Sequence, residues 1–281
     1  MGVAIEVRLV RPEAAQGRVR MVYDEIRDVM GLSWVPDMFQ AFAAHPRYLE
    51  VAWRELRPLV GRAPFERAAD DILRLGDEAV AAFPPEDHVQ LLLARRFQGD
   101  FDEIRRALEP FRFADPRLMV MATVLHDALR GERVGTNTSP EASRIVGVPA
   151  SRGAVRFVRP EEAEGKTLDI LEEIRRDTAL PLVAAEYQAL ALWPDYLELA
   201  WHDLKRHVGS AGYGEAAIRI RNRAGAAMAE LPGPIYADAS ALREAGVQED
   251  DLAGARALVK LFHEMLPGLI LNLAFFRAGL H

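Results

Sequence analysis

The chain of 281 residues contains no cysteine. That absence removes disulfides, thiolate zinc sites, redox dithiols and cysteine nucleophiles together. There is no unbroken apolar run of about twenty residues, so no membrane span is expected. Basic residues never dominate: 35 Lys and Arg are interspersed with 42 Asp and Glu, for a net charge of −7. A duplex nucleic-acid partner would require a basic face, so none is expected. The N-terminus, MGVAIEVRLVRP, lacks the basic flank and long apolar stretch of a signal peptide, which predicts a cytoplasmic location. Zinc spacings such as H-x-x-x-H or H-E-x-x-H are missing, as are a Gly-rich phosphate loop, a G-x-S-x-G elbow and a dinucleotide fingerprint. RGERVG at 130–135 reads as a turn.

What the chain does have is an internal repeat. VPDMFQAFAAHPRYLEVAW at 35–53 returns as VAAEYQALALWPDYLELAW at 183–201. Adding 148 to the residue number aligns 7–61 with 155–209 without a gap, with 25 identities over 55 positions. The identities include Arg11/Arg159, Pro12/Pro160, Gly17/Gly165, Pro46/Pro194 and Trp53/Trp201. Chance gives only a few, so the chain reads as a duplication. The register later slips to 151, pairing Phe111 with Phe262, Pro116 with Pro267 and Leu118 with Leu269. The predicted units are 1–132 and 153–281, joined by a Gly-, Ser-, Thr- and Pro-rich linker over 133–152.

Each unit reads as helical. Val19, Val22, Tyr23 and Ile26 fall at helical spacing, and Leu168, Ile170, Leu171 and Ile174 repeat the pattern. Pro36 and Pro46 suit first helical turns, where a missing N–H costs nothing. Further helices are expected at 65–82, 86–97, 101–112 and 116–130, giving about six per unit. Short Val/Ile-rich pieces at 3–10 and 154–158 carry the only strand signals. The predicted fold class is all-α, with the two homologous helical repeats forming an intramolecular pseudo-dimer through a self-complementary interface. A homodimer of such fused units is compatible with this reading.

A fused pair can diverge at its shared interface, so asymmetric positions inside well-matched stretches are where a site is sought. Trp34 faces Leu182 in the alignment, Asp37 faces Ala185, Met38 faces Glu186, and Asp115 faces Leu266. Glu186 begins an otherwise apolar helix. It is either a first-turn carboxylate facing water or a base held in an apolar pocket with a raised pKa. Asp37, just after Pro36, also reads as a helix-start residue. Asp115 before Pro116 reads as an N-cap with proline at the first helical position. Trp34 either walls a pocket or packs in the core. Val35, Met38, Leu182 and Val183 are expected to keep a site at the interface dry. His45, which replaces Trp193, and the single histidines His88, His126 and His263 read as core-edge or surface residues.

With these residues in hand, the chain resembles the group I 2-haloacid dehalogenases, the family accepting both enantiomers. The resemblance spans the whole chain: its length, its two repeats and the QALALWPDYLELAW helix. It implies an all-α pseudo-dimer with one site between the halves and a short 2-haloacid as substrate. It further implies that a carboxylate activates water, which attacks C2 directly and expels halide, without metal or organic cofactor. The family's catalytic aspartate, preceded by serine, falls on Ala185-Glu186, and its water-positioning asparagine falls on Asp115. The tryptophan wall matches Trp34, the aromatic expected three residues later is Asp37, and the C-terminal pocket wall falls on Phe262 and Leu266. Met38 and Ala185 complete the substrate-binding set.

Asp37, Asp115 and Glu186 would then place three acids around one pocket. Such a pocket repels a haloacid carboxylate unless an acid stays protonated or a cation enters. Two further readings follow: a divergent, non-catalytic binder of another small molecule, and an oxygen-rich divalent-metal site on the three carboxylates. Helix starts near Pro36 and Ala184 are expected to approach each other, offering first-turn N–H groups to a substrate carboxylate.

Overall fold

The computed structural model describes residues 7–136 and 154–281, and twelve α-helices occur among them. They are α1 (Gly17–Met30), α2 (Asp37–Phe42), α3 (Pro46–Leu56), α4 (Ala63–Ala79), α5 (His88–Ala94), α6 (Phe101–Leu129), α7 (Gly165–Thr178), α8 (Ala185–Leu190), α9 (Pro194–Leu204), α10 (Ala211–Ala227), α11 (Ala239–Glu244) and α12 (Glu249–Ala278). The fold is all-α. Among the described residues there is no strand: 7–10 and 154–158 are extended coil, and the rest of the first strand signal, 3–6, lies outside the described residues. Most of the expected linker, 137–152, lies outside them as well.

The extended pieces are held by single backbone bonds and not by a ladder. Val10 N–H donates to the Gln40 carbonyl at 3.0 Å, and Val158 N–H donates to the Gln188 carbonyl at 2.9 Å. Branched side chains supplied the β signal, but no partner strand lies alongside to complete a sheet.

The long helices α6 and α12 pack along each other and form the centre of the molecule, with α4 and α10 completing a four-helix core. The short helices cross over: α2 packs against α12, and α8 packs against α6. Each is only six residues long, too short to persist alone, and burial of every residue of α8 supplies what length cannot. By length and composition α12 could cross a membrane, contrary to the sequence expectation, yet most of its apolar stretch is buried against neighbouring helices.

One expectation needs correcting at α6. Residues 101–112 and 116–130 do not form two helices; a single helix of 29 residues runs through both Pro110 and Pro116. An interior proline removes one N–H and crowds the preceding turn, but burial of α6 against α12 and α4 holds the axis together. Asp115 is therefore not an N-cap. It sits mid-helix, where its side chain is free to face something else.

The turns before α2 and α8 are stapled alike. Gln40 Nε2 donates to the Val35 carbonyl, and Gln188 Nε2 to the Val183 carbonyl, each at 2.7 Å. Ion pairs between the segments that precede α1 and α7 are also reciprocal: Arg11 with Glu161, and Arg159 with Glu13.

Candidate active site

A cavity of about 30 Å³ lies where α2, α6, α8 and α12 meet. The first half contributes Trp34, Asp37, Met38, Phe111, Asp115 and Leu118; the second contributes Ala185, Glu186, Phe262, Met265, Leu266 and Leu269. All eight residues singled out from the sequence line this one space. Val35, Leu182 and Val183 are buried but do not; they wall neighbouring spaces. Phe111, Leu118, Met265 and Leu269 were missed. Helical spacing could have found them, because Phe111, Asp115 and Leu118 fall on one face of α6, and Phe262, Met265, Leu266 and Leu269 on one face of α12.

Glu186 is 5% exposed, which disposes of the water-facing alternative. It stands in the first turn of α8. Asp115 is 2% exposed, and its carboxyl lies within hydrogen-bonding reach of that of Glu186. Asp115 Oδ2 and Glu186 Oε2 receive no donor from other side chains or the backbone. No Arg, Lys or His is among the lining residues. Two carboxylates cannot both ionise under those conditions, so the pair holds a proton. Burial first, then the charge of Glu186, pushes the Asp115 carboxyl well above its ordinary value. Burial also raises Glu186, but the hydrogen bond from Asp115 pulls it back down. The two carboxyls therefore share one proton, which leaves one group able to donate and the other able to accept.

Asp37 is the third acid. Burial, followed by the charge of Glu186, raises its carboxyl to about 7, while Arg11 and a hydrogen bond from Ala185 N–H act the other way. Helix starts do approach each other as expected, but the α8 N–H offered to a ligand is already taken by Asp37. Among the described residues no group of three or more carboxylate or imidazole side chains is disposed to hold a metal ion, so the oxygen-rich metal reading loses its geometric basis.

The rest of the wall is apolar. Trp34 packs on Phe111 with ring centroids 5.0 Å apart, and Phe262 meets Phe42 edge-on at 6.2 Å. A cavity of about 30 Å³ exceeds the roughly 10–15 Å³ that one water needs, so it has room for at least one. The arrangement can hold one water between an apolar wall and an ionised carboxylate, and can take a proton from it.

Known proteins resemble this chain in sequence and in fold. An (R)-2-haloacid dehalogenase of Pseudomonas putida is 27% identical over 96% of this chain and 92% of its own. Another (R)-2-haloacid dehalogenase, of Rhizobium sp. (strain NHG3), is 26% identical over 81% of this chain and 89% of its own. A solved complex of a D-2-haloacid dehalogenase mutant with D-2-CPA superposes with a TM-score of 0.87 at 26% identity, covering 98% of this chain and 96% of that one. These three are named for one enantiomer, where the resemblance implied acceptance of both. Residues 33–187, more than half of the chain, match the family described as Halocarboxylic acid dehydrogenase DehI, and the chain belongs to that family.

Proposed function

We propose that this protein hydrolyses short 2-haloacids, with the (R) enantiomer preferred. Glu186 is the base, Asp115 the proton-bearing partner that orients both Glu186 and the water, and Trp34, Phe262 and Leu266 the walls that shape the site. Asp37, Met38 and Ala185 complete the substrate-binding set. The water oxygen attacks C2, the carbon–halogen bond breaks with its electron pair leaving as halide, and the water's proton passes to Glu186. Direct displacement inverts the carbon and yields a 2-hydroxyacid. The observation carrying this reading is a buried glutamate facing a small, mostly apolar cavity, with the buried Asp115 carboxyl in the same wall and no cation among the lining residues. The proposal includes the organisation: units 1–132 and 153–281 related by a two-fold axis, which the reciprocal Arg11–Glu161 and Arg159–Glu13 pairs support.

Halide release from (R)-2-chloropropionate tests the function. It is expected in the unmodified protein and should fall about 10²–10⁴-fold in Glu186→Gln, the usual span for loss of a general base. No halide above background from a panel of short 2-haloacids would remove the reading.

A second reading, a non-catalytic binder, is favoured by the capture of Ala185 N–H by Asp37, which blocks a carboxylate from that amide. Thermal shift with acids, amines and simple cations separates the two, since a binder gains stability by mass action without turnover.

A further inference from the structure

The small cavity poses a problem for an anionic substrate. It presents three carboxyls and no cation among its lining residues, it is small, and Ala185 N–H in its wall is turned to Asp37. A second cavity, of about 220 Å³, adjoins it. The two share Trp34, Asp37 and Ala185 in their walls, so these three residues form the partition. The outer space is lined by Arg11, Arg27 and Arg159 as well as Glu13.

The three arginines differ in how firmly they are held. Arg159 is paired tightly to Glu13 and also faces Glu162 at 3.9 Å. Arg27 is bonded to Asp24 one helical turn away. The ion pair of Arg11 is with Glu161, at 3.4 Å, and that glutamate is 59% exposed; the charge of Arg11 also acts on Asp37 and Glu13. A long pair whose glutamate is largely in water contributes little, so a ligand can displace it. The Arg11 side chain is itself only 26% exposed, which favours charge-assisted bonding to an incoming anion over full hydration.

We propose that the outer cavity is a carboxylate-recognition vestibule and that Arg11 is its receptor. The acid's carboxylate exchanges for Glu161 on the Arg11 guanidinium, and the carbon end points through the Trp34–Asp37–Ala185 partition toward Glu186. The first step stands on the vestibule alone; the second rests on the dehalogenase reading. Because the vestibule far exceeds one water in volume, acids longer than three carbons fit this recognition mode. Recognition is by charge and not by chain length.

Calorimetric titration with propionate, a probe that cannot react, tests the vestibule without turnover, with propionamide as the uncharged control. The unmodified protein should bind propionate and not the amide. Arg11→Gln should weaken propionate binding at least tenfold. Glu161→Gln breaks the same ion pair but leaves the guanidinium free, and should tighten binding a few-fold. Opposite effects from the two variants separate recognition from a merely structural role of the pair, and circular dichroism checks that both fold. Equal affinity in Arg11→Gln, equal affinity for the amide, or no propionate binding at all would overturn the proposal. Halide release measured in parallel distinguishes the two readings. Propionate binding through Arg11 without halide release leaves the vestibule standing and sinks the hydrolase; halide release with an unchanged KM in Arg11→Gln does the reverse.

Discussion

Asp115 and Glu186 come from different halves of the chain, and their buried carboxyls share one proton with no cation beside them. An ionised base beside a protonated acid gives kcat/KM two titrating limbs. Both limbs belong to the pair: the acid limb is its first ionisation and the alkaline limb the loss of the shared proton, each raised above the ordinary carboxyl range by burial. Asparagine keeps a donor at this position but cannot titrate. Asp115→Asn should therefore retain activity within about tenfold and lose the alkaline limb. An unchanged bell-shaped profile in that variant would remove Asp115 from the assignment.

Asp37 makes a separate prediction about stability. Its folded-state value, about 7, lies above the ordinary 3.8, so the folded protein holds this proton more tightly than the unfolded chain. The contribution of this group to stability is least unfavourable below about 4 and worsens as pH rises to about 7, at a cost on the order of 4 kcal/mol at most. Asp37→Asn should be more stable than the unmodified protein at pH 8, and that advantage should shrink toward pH 4. Denaturant titrations of both proteins across this range check the sign. An advantage that grew on acidification would contradict it.

Leu266 is 2% exposed and stands in the wall beside Glu186. Leu266→Ala should cost roughly 2–4 kcal/mol of stability, because the surrounding helices close the space only in part. It should also shift preference from 2-chloropropionate toward 2-chlorobutyrate by about 10-fold or more, the value of one methylene in an apolar pocket. Relative kcat/KM for the two acids, measured on the folded variant, decides this.

The ends of α1 and α7 differ in a way that predicts an improvement. Gly31 closes α1 at φ 67°, whereas Ala179 closes α7 at φ 52°. A left-handed backbone costs a residue with a Cβ roughly 1–2 kcal/mol, and glycine avoids it. Ala179→Gly should raise stability by about 0.5–1 kcal/mol, after the greater entropy of the unfolded glycine is set against the relief. Thermal melts read this directly, and halide release should be unaffected because Ala179 does not line the cavity.

The helical class was legible in the sequence because it leaves a periodic trace. Matched identities marked the shared framework. Mismatches inside it, Trp34, Asp37, Glu186 and Asp115, picked out side chains that the structure brings to one cavity. Three things were not legible. Pro116 read as the start of a new helix, and only the packing of α6 against α12 and α4 lets one helix pass through it. Burial of Glu186 could not be read from a first-turn carboxylate, because the same residue at a helix start serves equally well in water. Nor could the proton shared by Asp115 and Glu186 be inferred, since it depends on which charges share their space and which are absent. Sequence alone determined which residues differ between the halves. The tertiary structure alone decided that three of those differences are carboxyls in one low-dielectric cavity, and that the arginines lie on the other side of its wall. Periodicity acts through neighbours along the chain, whereas pKa values and ligand recognition act through neighbours in space.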